Sequence, residues 1–196
     1  TKMIKEQMPF QDALSLAQKL GYAEKNPSAD IDGIDACRKI CILASLAFGK
    51  HVYPKEVYTE GISKITLEDV AYAQNAGYVV KLIGQAKRLE GGKSEVMVSP
   101  AFVPVENQLS GVDDVFNGVL VKGDATGEVM FYGKGAGKLP TASAVVADVV
   151  HIAKSQNTSQ SLTWEDSAAD TVADISGYEN AFYYRLCGSI AKEELA

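Results

Sequence analysis

The stretch richest in chemistry is residues 24–39, EKNPSADIDGIDACRK. Glu24, Asp30, Asp32 and Asp35 place carboxylates ahead of Lys39. Asp35 and Lys39 are four apart and share one face of any helix that holds them. A lysine has a proton to give, and burial lowers its pKa toward neutrality. Such a group can protonate a carbonyl oxygen as hydride arrives at carbon, or take that proton back in the reverse direction. Asp35 is placed to hold and polarise it, directly or through a water. Glu24 and Asp30 suit the ammonium group of an amino-acid substrate. A structural reading stands beside this one. Acids near a helix start cap free N–H groups and favour the macrodipole, and an exposed Asp–Lys pair at this spacing contributes only about 0.2–0.5 kcal/mol. On the residues alone both readings stay open.

The elements that must position these groups follow from periodicity. Phe10, Ala13, Leu14, Ala17 and Leu20 recur at helical spacing, and Gly21 ends that helix. A second helix is expected from Asp32 or Gly33 to Gly49, capped by Asp30 or Asp32. Its later part, ICILASLAF, is apolar on every side except Ser45, which predicts burial at the domain centre. The Asp35–Lys39 face runs on into Ile42 and Leu46, so the pair is expected to be only partly solvated. Thr66 and Asp69 resemble a capping box for a helix over 67–76.

The period then changes. YVVKLIGQAKRL, SEVMVSPAFVP, NGVLVKGD and GEVMFYG read as strands of a largely antiparallel sheet, with hairpin turns at Gly91-Gly92 and Thr126-Gly127. A glycine-rich stretch, GKGAGKLP, leads into a helix over 141–154 with Ala142, Val145, Val146, Val149 and Ile152 as its stripe. The polar SQNTSQS reads as a linker, and AFYYRLC is strand-like. The order of helices, sheet and helix predicts an α+β fold, with helices packed on the sheet.

Composition excludes several classes. The net charge of −6, without a dense Lys/Arg tract, argues against nucleic acid or an anionic membrane as partner. No apolar run reaches the roughly 20 residues of a membrane span. Cys37 and Cys41 lie one helical turn apart, a poor disulfide geometry, and an odd total of 3 cysteines suits a reduced, cytoplasmic protein. With only His51 and His151, no zinc site is expected.

The string AQKLGYAEKNPSADIDGIDACRK, residues 17–39, resembles the homoserine dehydrogenase signature at Ala17, Gly21, Tyr22, Ala23, Asn26, Pro27, Asp30, Ile31, Gly33, Asp35 and Lys39. The resemblance implies that Lys39 is the acid/base, Asp35 its catalytic partner, and Glu24 and Asp30 ligands of homoserine or aspartate semialdehyde. The implied reaction is reversible NAD(P)-dependent interconversion of L-homoserine and L-aspartate 4-semialdehyde, on the route to threonine, methionine and isoleucine. The segment GKGAGKLPTASAVVADVV resembles the family's return toward the cofactor, which implies that Gly135, Ala136 and Gly137 face it. Taken alone those glycines read as a strand-to-helix turn.

The resemblance further implies a homodimer paired through the mid-chain sheet. Residues 1–155 would form the substrate-binding and dimerisation domain, 156–176 a linker, and 177–196 the truncated start of an ACT-like regulatory segment. No strand–GxGxxG–helix unit precedes the signature. The nucleotide-binding half is therefore expected to lie outside this sequence, with NAD(P) bound by the full-length enzyme and not by this part alone. The competing reading is an oligomerisation or small-ligand-binding module in which the carboxylates are only caps.

Overall fold

The computed structural model describes residues 2–21, 23–135, 137–155, 163–167 and 171–186. It begins with helices α1 (Lys2–Lys5), α2 (Phe10–Lys19), α3 (Ser28–Ile31) and α4 (Ile34–Phe48). Then come β1 (Tyr58–Thr59), α5 (Leu67–Asn75), β2 (Tyr78–Arg88) and β3 (Ser94–Pro104). A hairpin of β4 (Phe116–Gly123) and β5 (Gly127–Lys134) leads to α6 (Lys138–Lys154). The fold is α+β, as the periodicity indicates.

The expected strands form, but in two sheets. One has the order β1-β3-β2, with β2 antiparallel and the short β1 parallel to β3. The other is the β4–β5 ribbon alone. β2 and β3 pair along their full length, from Tyr78↔Pro104 to Arg88↔Ser94. Gly91 and Gly92 turn this hairpin at φ 81° and 84°, where L side chains are strained.

Helix α4 departs from its expected burial. It lies on the sheet through a narrow face of small residues, Cys37, Cys41, Ala44 and Ser45, against Val52, Val57, Val96 and Val98. Gly84 on β2 admits Ile40, whose Cβ lies 3.1 Å from where a Gly84 Cβ would stand. That close approach buries the small side of the helix and turns the large side outward. Ile42 and Leu46 are 53% and 42% exposed. Small side chains shorten the helix–sheet distance, so composition alone misjudges which face is covered.

A second cluster joins Met3 of α1, Ala13 of α2 and Val70 of α5 over Val80 of β2. Charges clamp its rim. Lys81 Nζ donates to Val112 O at 2.6 Å and to Asp113 Oδ1 at 2.8 Å, and Lys5 pairs with Asp113 and Asp114 at 3.2 Å each. Thr66 and Asp69 form the capping box of α5 with both reciprocal bonds present.

The tail packs back on this body. Glu165 bridges Lys50 in parallel, and Trp164 Nε1 donates to His51 Nδ1 at 3.0 Å. Farther on the tail seals the outer edge of β3. Ser94 exchanges bonds with Thr171 O and Ala173 N at 2.9 Å, the Val96 N–H donates to the Tyr178 hydroxyl at 2.9 Å, and Val98 O accepts from Glu60 N at 2.8 Å. Ser94, Val96 and Val98, alternate residues of that edge, are thereby closed by three segments, two of them from the tail. Arg185 and Tyr183 then reach Asp69 at 2.5 and 3.0 Å. The described parts of the region read as a linker, 163–167 and 171–176, thus lie against residues 49–51 and the start of β3. The strand expected at AFYYRLC does not form over 181–186. The SQNTSQS run lies outside the described residues except for Ser155, and so do Cys187 and the residues after it.

Candidate active site

Asp35 and Lys39 form an ion pair on α4, with Nζ to Oδ2 at 2.7 Å and side chains 46% and 57% exposed. The pair shares its face with Ile42 and Leu46, as the spacing requires. That face is the uncovered one, so the pair stands at the surface of this chain and not at the edge of the core. The reason is again the small-residue seam of α4, which commits the opposite side to the sheet.

Neither Asp30 nor Asp32 caps α4. Gly33 occupies the N-cap at φ 78°, without a side-chain cap bond. Asp30 belongs to the short α3 one turn earlier. There its carboxyl is pushed above the usual carboxylate range, first by partial burial, then by the charges of Asp35 and Glu24, with Lys39 pulling the other way. Asp35, Glu24 and Lys39 thus all lie within electrostatic reach of Asp30. Glu24 stands in the exposed loop before α3, and its backbone carbonyl accepts from Gln18 Nε2 at 2.9 Å.

Asp30 also lines a cavity of about 360 Å³ between α2, α5 and β2. Its walls include Phe10, Leu14, Ile31, Ile65, Val80 and Leu82, with Lys81 on the strand side. Asp30 therefore borders an apolar recess, while Asp35 lies on the open face of α4. Such an arrangement can hold an ammonium group beside a proton donor.

The glycine segment stands apart from these four. Gly135 N–H donates to Val115 O at 2.9 Å, and a Cβ on Gly135 would overlap the Asn117 amide at 1.3 Å. The obstacle is the end of an exposed side chain that can rotate aside, so packing within the chain does not by itself require a glycine there. Gly137, at φ 122°, precedes α6 and leaves its first turn without a side-chain cap. Ala136 lies outside the described residues. The open start of a 17-residue helix fits an anionic group such as the phosphates of a dinucleotide. Among the described residues no group of three or more His, Cys, Asp or Glu side chains could hold a metal ion, and no helix is long and apolar enough to cross a membrane.

Spacing did not reveal Gly61. A Cβ there would lie 2.1 Å from Ile31 O and 2.5 Å from Asp32 Cα, so this glycine abuts the turn between Asp30 and Asp35. Its partner is 30 residues away in sequence, and no local pattern signals such a contact.

Comparison with known proteins identifies the family to which this fold belongs. The homoserine dehydrogenase family model matches residues 1–150. The chain is 49% identical over 154 residues to the homoserine dehydrogenase of Bacillus subtilis, covering 79% of this chain and 35% of that protein. The crystal structure of a homoserine dehydrogenase from Thiobacillus denitrificans superposes with a TM-score of 0.75 at 48% identity, over 79% of this chain and 36% of that one. A hyperthermophilic archaeal homoserine dehydrogenase, solved in complex with NADPH, superposes with a TM-score of 0.65 at 28% identity, over 82% of this chain and 46% of that one. The chain thus spans about a third of the length of its bacterial relatives in these comparisons. The match runs through the signature and the α+β body that carries it, and on that ground this chain belongs to the homoserine dehydrogenase family.

Proposed function

We propose that this chain supplies the substrate-binding and proton-transferring part of an enzyme that interconverts L-homoserine and L-aspartate 4-semialdehyde. One observation supports this most directly: Lys39 Nζ pairs with Asp35 Oδ2 at 2.7 Å within electrostatic reach of Asp30, which also feels the charges of Asp35 and Glu24 and lines the apolar cavity. Carboxylates that repel one another are costly to keep together, and function is a standard reason for retaining them. Glu24 and Asp30 would take the substrate ammonium, which relieves that repulsion. Lys39 Nζ would give its proton to the aldehyde oxygen during reduction and recover it during oxidation. Asp35, at 2.7 Å, would orient the donor.

A nicotinamide dinucleotide, bound with the help of the open start of α6 beside Gly137, would supply or accept the hydride. That a hyperthermophilic archaeal neighbour was solved in complex with NADPH supports the choice of cofactor. The chain on its own is expected to give background rates, since the relatives it resembles are more than twice as long.

The test uses the enzyme in which this chain is joined to its nucleotide-binding domain. Lys39→Ala should collapse kcat for homoserine oxidation while leaving the oligomeric state intact. An essentially unchanged kcat would remove Lys39 from the chemistry.

A second property is favoured by the β4–β5 ribbon. The cross-strand pairs Val119↔Phe131 and Val121↔Val129 share one face, and Val121, Val129 and Phe131 are exposed. The other face packs Gly118 on Val112 and Leu109. We infer that the open face pairs with a second copy of the chain to form a homodimer. Phe131→Glu should then shift the mass in solution to that of a monomer, and a dimer that survives the substitution would refute the pairing.

A further inference from the structure

Two glycines from distant segments interlock beneath the candidate site. Gly33 is buried in the turn between α3 and α4, at φ 78°. A Cβ on it would stand 3.2 Å from Thr59 Cγ2, 3.3 Å from Val98 Cγ1 and 3.4 Å from Glu60 O. Gly61 faces the same turn from the other side. A Cβ on Gly61 would stand 2.1 Å from Ile31 O, 2.5 Å from Asp32 Cα and 2.9 Å from Asp32 C. Each glycine is therefore filled by the backbone or short side chains of the other's segment. One hydrogen bond ties the two segments together, from Ile62 N–H to Ile31 O at 2.8 Å, and one fastens them to the sheet, from Glu60 N–H to Val98 O at 2.8 Å.

The clasped turn, residues 31–33, lies between Asp30 at the end of α3 and Asp35 at the start of α4. It links the two helices covalently, so its position helps set where Asp30 stands relative to the Asp35–Lys39 pair. We propose that Gly61, with Gly33, is a positioning residue for the substrate site, holding the ammonium-binding carboxylate of α3 in register with the proton donor of α4. This rests on the reading of those carboxylates given above.

The contacts argue for position beyond mere turn-making. Gly77, Gly91 and Gly92 also have φ values above 80°, yet a Cβ on any of them would meet nothing within 4 Å. Those glycines satisfy only the local backbone. At Gly61 the φ is unremarkable for any residue and the obstacle is fixed main chain, which cannot rotate aside. Restoring ordinary contact there would move the turn by about 1 Å, and displacements of that size at a reacting centre cost on the order of 100-fold in rate.

The experiment compares variants of the enzyme in which this chain is joined to its nucleotide-binding domain. Gly61→Ala is expected to lower kcat/KM for homoserine on the order of 100-fold, to weaken homoserine binding at least about tenfold by calorimetry, and to leave KM for the dinucleotide unchanged. Gly33→Ala and Gly77→Ala form a matched pair, because both place an L side chain at a left-handed φ and lose similar stability. Gly33→Ala should weaken homoserine binding and Gly77→Ala should not, which keeps the proposal testable if Gly61→Ala does not fold. Equal homoserine dissociation constants for Gly33→Ala and Gly77→Ala would overturn it. Lys39→Ala measured alongside separates the failures. If it abolishes turnover while Gly33→Ala is silent, only the clasp is wrong; if it retains kcat, the site assignment falls and takes the clasp's role with it.

Discussion

Tyr178→Phe removes one oxygen atom from the tail and leaves the ring in place. That oxygen accepts the Val96 N–H at 2.9 Å and lies 3.1 Å from Ala173 O, to which it donates. Val96 is 1% exposed and Tyr178 is 8% exposed, so water cannot replace the lost partner without opening the β3 edge. An orphaned buried amide costs about 1–3 kcal/mol. For a chain of this size each ~1 kcal/mol shifts the melting temperature by about 2–4 °C, which places the expected loss near 4–8 °C for the middle of that range. Thermal unfolding followed by circular dichroism measures the shift. Hydrogen–deuterium exchange locates it, because the Val96 amide should exchange faster while the partners on β2 are little changed. A melting temperature within about 1 °C of the parent, together with unaltered exchange at Val96, would show that the tail does not seal this edge and that the reasoning about alternate residues is wrong.

Three further outcomes follow from the titrating groups. At Asp69 burial pushes the carboxyl up, but bonds from the Thr66 backbone and hydroxyl and from the Tyr183 hydroxyl, with the Arg185 charge, outweigh it and hold the group below the usual carboxylate range. Its contribution is full above the unfolded carboxylate value of about 3.9 and is lost as pH falls through the lower folded value, so urea midpoints should drop on that acid limb and Asp69→Asn should flatten it. Asp30 has the opposite sign: burial and the neighbouring carboxylates raise it, so its ionised form opposes folding once pH exceeds the unfolded value. Asp30→Asn should accordingly melt no lower than the parent at pH 7 while losing homoserine binding, and a clear drop in melting temperature would contradict this. The Cys41 thiol is pushed up to about 12, chiefly by burial and then by Cys37; iodoacetamide at pH 8 should leave it unmodified in the folded protein and alkylate it in urea, and rapid native labelling would count against its burial.

Local patterns were readable where a residue's partners are close in the chain. The Thr66–Asp69 capping box formed with both bonds, and the SEVMVSPAFVP string matches β3 from Ser94 to Pro104. The Asp35–Lys39 pairing is likewise a matter of helical spacing alone. The orientation of α4 was not readable, because it depends on how closely Ile40 can approach Gly84, 44 residues on. The separation into two sheets was not readable either, since alternation marks a strand and does not name its neighbour. The tail's contacts lie farther still: Tyr178 and Val96 are 82 residues apart, and a hydroxyl that closes a strand edge leaves no periodic trace. The Gly33–Gly61 contact belongs to the same class, fixed by tertiary approach and silent in composition.

Helix α6 buries none of its 17 residues. Its sequence is rich in valine, a middling helix former, and Val145, Val146, Val149 and Ile152 meet water along one stripe. An isolated helix of this length is marginal, because nucleation is costly and packing supplies most helical stability in proteins. Any stability it draws from packing must therefore come from a surface that lies over that stripe. Calorimetry should register such an encounter as a drop in heat capacity, from dehydration of the valines and Ile152.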